Sequence, residues 1–144
     1  MAESKPLRLL AQDADDLSVL SAALQDAVAK IGDIRWDAQR RTLTIACNRF
    51  RWEAGGKKGE RVRSALQFGD VAGVQARNLR RDAKGAVVSL MSIAFEPAEE
   101  APAGVVTLTF SGGGDMRVSV DCLDVALADV SDPWATPRTP GHAD

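Results

Sequence analysis

The feature that most constrains the fold runs from Val106 to Val120, VTLTFSGGGDMRVSV. Val106, Leu108 and Phe110 precede three glycines, and Met116, Val118 and Val120 follow them. Both triplets keep a period of two, the repeat of a strand with one face buried. Pairing 110 with 116, 108 with 118 and 106 with 120 puts all six on one side. SGGGD then closes a hairpin, and its glycines supply the positive φ that tight loops need. A phosphate-cradling loop would instead place Lys and Ser/Thr after the last glycine and then open a helix. Here Asp115 follows, and then more alternation. The glycines turn the chain.

Most of the chain past Gly32 carries the same signal. Ile34 and Trp36 alternate with Arg35 and Asp37, and Leu43, Ile45 and Cys47 share a face. After Asn48 the apolar set shifts to Phe50 and Trp52, which predicts a bulge near Asn48. Val62, Leu66 and Phe68 alternate with Arg61, Arg63 and Gln67, and AVVSLMSIAF is long and apolar enough for a strand covered on both faces. Only the start differs. Asp13 is placed to cap a helix in which Leu17, Leu20, Leu24, Ala27, Val28 and Ile31 form one stripe, with Gly32 as its C-terminal stop. The expected fold is therefore α+β. An N-terminal amphipathic helix packs on a mostly antiparallel meander or partial barrel of about seven to eight strands, with a pleckstrin-homology-like barrel as the fold-level analogy. The expected boundaries are a single globular domain over 1–130 and a Pro-rich, loosely held tail over 131–144.

Charge is unevenly spread. The whole chain sums to −2, yet between Arg35 and Lys84 it has 13 Lys+Arg against 5 Asp+Glu, a local +8. Within that block, NRFRWE and RVRSALQF flank the loop AGGKKGE. If Phe50 and Trp52 face the core together with Val62, Leu66 and Phe68, then Arg49, Arg51, Arg61 and Arg63 share the outer face of a ribbon tipped by Lys57 and Lys58. Like charges directly across strands oppose pairing by about 0.2–1 kcal/mol each. Their repulsion is offset either by acidic residues folded over the ribbon from the flanks or by an external anion. An anionic protein surface, a nucleic acid or a phosphorylated ligand would each suit arginine's planar fork. The nucleic-acid case lacks a stacking platform, since there is no tyrosine and the ribbon's aromatics are assigned inward.

Several chemistries have no residues to carry them. The single histidine, His142, lies in the tail, which argues against His-based triads and His metal clusters. Cys47 and Cys122 sit on strand-like segments as small buried hydrophobes. No catalytic residue, metal ligand or cofactor is assigned. No stretch approaches the roughly 18 apolar residues of a membrane span. No secretory leader pattern follows MAESKP, so a cytoplasmic setting is expected. These residues predict a non-enzymatic binding or adaptor module that presents the arginine hairpin to an anionic partner. The alternative is a small-ligand-binding protein or enzyme with a cavity between helix and sheet, and edge strands leave a homodimer open.

Longer stretches carry a resemblance. LRLLAQDADDLSVLSAALQDAV, NRFRWE, RVRSALQF and APAGVVTLTFSGGG, followed by Arg117 and Cys122, resemble an uncharacterised bacterial domain-of-unknown-function family found mainly in alphaproteobacteria. The resemblance implies no activity, cofactor or catalytic residue.

Overall fold

A computed structural model of the chain describes residues 6–54 and 59–136. In chain order these form β1 (Arg8–Ala11), α1 (Ala14–Ala23), β2 (Val28–Lys30), β3 (Ile34–Asp37), β4 (Thr42–Phe50), β5 (Gly59–Phe68) and β6 (Val71–Arg77). There follow β7 (Val87–Pro97), β8 (Gly104–Phe110), β9 (Asp115–Val120), β10 (Val125–Asp129) and β11 (Trp134–Thr136). The strands make one open sheet of 11 strands in the order β1-β10-β5-β4-β2-β7-β8-β9-β6, with β3 added to β4 and β11 to β5. Every pairing is antiparallel. A meander holds for β3–β4–β5 and for β7–β8–β9; the other neighbours lie far apart in sequence. The strand count exceeds the expected seven to eight because β1, β2 and β11 span only three or four residues, too short to show alternation. The last of these lies inside the expected tail, where Trp134 pairs with Arg61.

The helix starts where the sequence places it. The Asp13 side chain accepts from the Asp16 amide at 2.8 Å, and Asp15 and Asp16 sit in the first turn, where the helix dipole favours them. It stops sooner than expected. Leu24 is the C-cap, Asp26 turns the chain at φ 62°, and Val28–Lys30 pair with β7. Leu17, Leu20 and Leu24 are buried on the helical side, while Ala27 and Ala29 reach the same cluster from outside the helix.

At the β8–β9 turn the register differs from expectation by two residues. Leu108 pairs with Met116 and Val106 with Val118, and Gly112 and Gly113 take φ of 84° and 89°. The loop is Ser111–Gly113, closed by the Phe110 amide donating to Gly114 O at 2.9 Å. A shift of two keeps every side chain on its face, so all six apolar residues remain buried.

The inner face of the sheet and α1 close on one apolar cluster drawn from β4, β5, β8, β9 and β10. The chain turns a corner at Gly69-Asp70 between β5 and β6, with Asp70 at φ 52°. The Gly69 amide donates to Asp124 O and the Asp121 amide to Asp70 O. Just beyond, the Val71 amide donates to Arg41 O at 3.0 Å. That bond brings β6, the last strand of the sheet order, back beside the β3–β4 turn.

Candidate functional site

The arginine hairpin is built differently from the sequence expectation. β4 and β5 pair without a shift from Leu43↔Phe68 to Phe50↔Arg61, so there is no bulge at Asn48. Alternation simply continues, and the inward position after Leu43, Ile45 and Cys47 is Arg49, which is 0% exposed. Arg49 sits opposite Val62, whereas Arg61 and Arg63 occupy the other face, opposite Phe50 and Asn48. Past Phe50 the strand gives way to a 3₁₀ turn, leaving Arg51 buried and Trp52 exposed. The arginines therefore do not form a common outward ribbon.

Three of the four, Arg49, Arg51 and Arg63, are met internally by carboxylates, the other explanation weighed, while Arg61 makes no ion pair among the described residues. Arg49 grips Asp129 through Nε and Nη2 at 2.9 and 2.8 Å, and Glu53 through Nη1 and Nη2 at 3.0 and 2.7 Å. Such two-pronged bonds are the strong form of the pair. Asp129 also accepts from Ser64 Oγ at 2.7 Å and from the Leu7 amide at 2.8 Å. Arg51 pairs with Glu60, and Arg63 with Asp33 at 2.9 Å. Arg61 donates to Asn48 O at 3.2 Å and lies 6.0 Å from the Phe50 ring centre. Lys57 and Lys58 lie outside the described residues.

Titration follows from these contacts. Burial alone would raise the Asp129 pKa, but the bonds from Arg49, the Leu7 amide and Ser64 outweigh it and hold the carboxyl below its ordinary value. Arg49 holds Glu53 low, against an opposing burial effect. Burial pushes the neighbouring Cys47 thiol up to about 11. The cluster thus fastens β1, β4, β5 and β10 together, and its arginine is already saturated.

A second place has the opposite character. A cleft of about 310 Å³ opens between β3 and β6. Its floor is Leu43 and Met116, both buried in the core. Ile34 and Trp36 form one wall, Val74 and Ala76 the other. Beyond its lining, Arg41 ties the β3–β4 turn to the start of β6: its carbonyl takes the Val71 amide and its Nε donates to Val71 O at 3.1 Å. The β6–β7 connection borders the cleft, and there the Gly32 amide donates to Lys84 O at 2.9 Å. A Cβ at Gly32 would stand 3.1 Å from the Lys84 carbonyl oxygen, a tighter approach than ordinary van der Waals contact.

Arg81 and Lys84 stand on the rim of this cleft. A second open space of about 600 Å³ runs along the outer face of β6, sharing Val74, Ala76 and Arg81 with the first and adding Arg77, Asp115 and Arg117. Arg77 is paired with Asp115 at 2.7 Å. Among the described residues, Arg81, Lys84 and Arg117 make no ion pair, unlike Arg41, Arg49, Arg51 and Arg63. Sequence reasoning missed this cleft and placed the alternative cavity between helix and sheet. The one usable signal was the basic run RRDAK between β6 and β7.

Among the described residues, no group of His, Cys, Asp and Glu is arranged to hold a metal ion, and no helix is long and apolar enough to cross a membrane. Residues 7–142 match the model of a protein family described as "Protein of unknown function (DUF2948)". No curated protein and no solved structure matches the chain.

Proposed function

The chain belongs to the DUF2948 family, and we propose that it is a binding protein whose ligand is an amphipathic anion held in the cleft between β3 and β6. In this reading the curled sheet is a partial barrel and the cleft is its open seam. The observation that carries it is the pairing of an apolar floor with rim cations, Arg81 and Lys84, that have no carboxylate partner among the described residues. Ligand sites characteristically combine apolar walls with a few placed polar groups in roughly 300–1,000 Å³. The arginine hairpin is the weaker site, because Arg49 and Arg51 already spend their charge on Asp129, Glu53 and Glu60.

The test is a titration with 8-anilinonaphthalene-1-sulfonate, an apolar anion whose emission rises on leaving water. Trp36 lines the cleft and would transfer energy to the bound dye. The expected result is saturable binding, weakened at least tenfold by Arg81→Glu with Lys84→Glu and untouched by Arg61→Glu. Equal binding by all three proteins would reject the site.

A further inference from the structure

We propose that the occupant of this cleft is an extended peptide segment of alternating apolar and acidic residues, which adds as a strand to the open edge of β6. The proposal rests on the binding role above and specifies its ligand.

Among the described residues, β6 ends the sheet order and pairs only with β9, on one side. Among the same residues, β3 pairs only with β4. Two edges that each lack a neighbour therefore border the same cleft. An edge strand turns alternate N–H and C=O groups outward, ready to pair with another chain, and proteins blunt such edges with proline, lysine or bulges. β6 reads VAGVQAR, without proline or lysine. Its one irregularity lies at its start, between Val71 and Gly73, so Val74–Arg77 is regular. Four residues at about 3.3 Å each give about 13 Å of edge to pair against.

Open space borders both faces of that edge. Val74 and Ala76 line the apolar cleft; the outer space reaches the same two residues and adds Gln75 and Arg77, which the cleft lacks. An added strand would alternate in the same way, since successive side chains point to opposite faces. One set would enter the cleft over Leu43 and Met116, where apolar groups fit. The other would lie beside Arg81 and Arg117, where carboxylates fit. The two spaces thus specify a period-two pattern, which neither a compact small molecule nor a nucleic acid reproduces.

The experiment uses the full chain and a dye-labelled hexapeptide of alternating valine and glutamate, read by fluorescence anisotropy. Three comparators are run: the peptide with its edge-facing amides N-methylated, the peptide with lysine in place of glutamate, and a twelve-residue oligothymidylate. The parent peptide is expected to bind, with at least a tenfold loss on N-methylation, on the lysine exchange, and in the variant Arg81→Glu with Arg117→Glu. Equal binding of the N-methylated peptide would overturn strand addition. Preferred binding of the oligothymidylate would overturn the peptide. Failure of every peptide while 8-anilinonaphthalene-1-sulfonate still binds in the cleft would also overturn the peptide, yet leave the binding role standing. Loss of both would remove the two together.

Discussion

Asp129→Ala should destabilise this fold far more than an ordinary surface aspartate would. The side chain is 2% exposed and faces Arg49, which is 0% exposed. It accepts four hydrogen bonds, two from Arg49 and one each from Ser64 and the Leu7 amide. Removing one partner of a buried ion pair costs about 3–5 kcal/mol, because the other charge is left uncompensated. Glu53 still holds Arg49 here, so the lower end, about 3 kcal/mol, is expected. With a urea m-value of roughly 2 kcal/mol/M, that lowers the unfolding midpoint by about 1.5 M at unchanged m. Asp129→Asn, which keeps the volume and one acceptor, should cost about half as much. A double-mutant cycle with Arg49→Met should show coupling of at least about 1 kcal/mol. A loss below about 1 kcal/mol for the alanine variant would refute the idea that Arg49 is held by a buried network.

Acid should unfold the protein through the same cluster. Asp129 and Glu53 bind protons less readily when folded than when unfolded. Their contribution is therefore full above the unfolded values of about 3.9 and 4.3, and is lost as pH falls through them toward the lowered folded values. The urea midpoint should drop between pH 6 and pH 3, less steeply in Asp129→Ala. Gly112→Ala should cost about 1 kcal/mol in urea unfolding, since φ is 84° and a Cβ meets nothing within 4 Å, so only the backbone objects. Gly85→Ala also finds nothing within 4 Å and has no such φ, so it should be neutral or stabilising by up to about 1 kcal/mol. Of the two free thiols, Ellman's reagent at pH 8 should titrate Cys122 alone in the folded protein. Cys47, buried and with its pKa near 11, should appear only in denaturant.

Local chemistry was legible where it acts over a few residues. Asp13 capped the helix as its position predicts, and the glycines of Ser111–Gly114 turned the chain. The helix end was misplaced because Ala27 and Ile31 are buried from a turn and a 3₁₀ turn as well as a helix would bury them, and Asp26 took the left-handed conformation sought at Gly32. The hairpin parity failed at Arg49. The alternation of Leu43, Ile45 and Cys47 makes Arg49 the next inward position, but arginine's charge reads as outward, and it is Asp129, 80 residues away, that accommodates it inside. The register of β8 and β9 was ambiguous by two because such a shift preserves both faces. The cleft was illegible for a different reason. It exists because the corner at Gly69-Asp70 returns β6 toward the β3–β4 turn, and no short-range pattern reports where a sheet's ends meet.

The central claim is that this protein binds through the seam between β3 and β6. The most direct test is an amide NMR titration of the isotope-labelled chain with 8-anilinonaphthalene-1-sulfonate. Resonances of Ile34–Trp36, Val74–Arg77 and Leu79–Lys84 should shift together with one saturating isotherm, while Asn48–Arg51 and Arg61–Arg63 stay still. Shifts centred on Arg61 would return the site to the hairpin. Shifts along the groove between α1 and β7, where Ser18, Ser21 and Ala94 line an open space, would contradict the account as plainly.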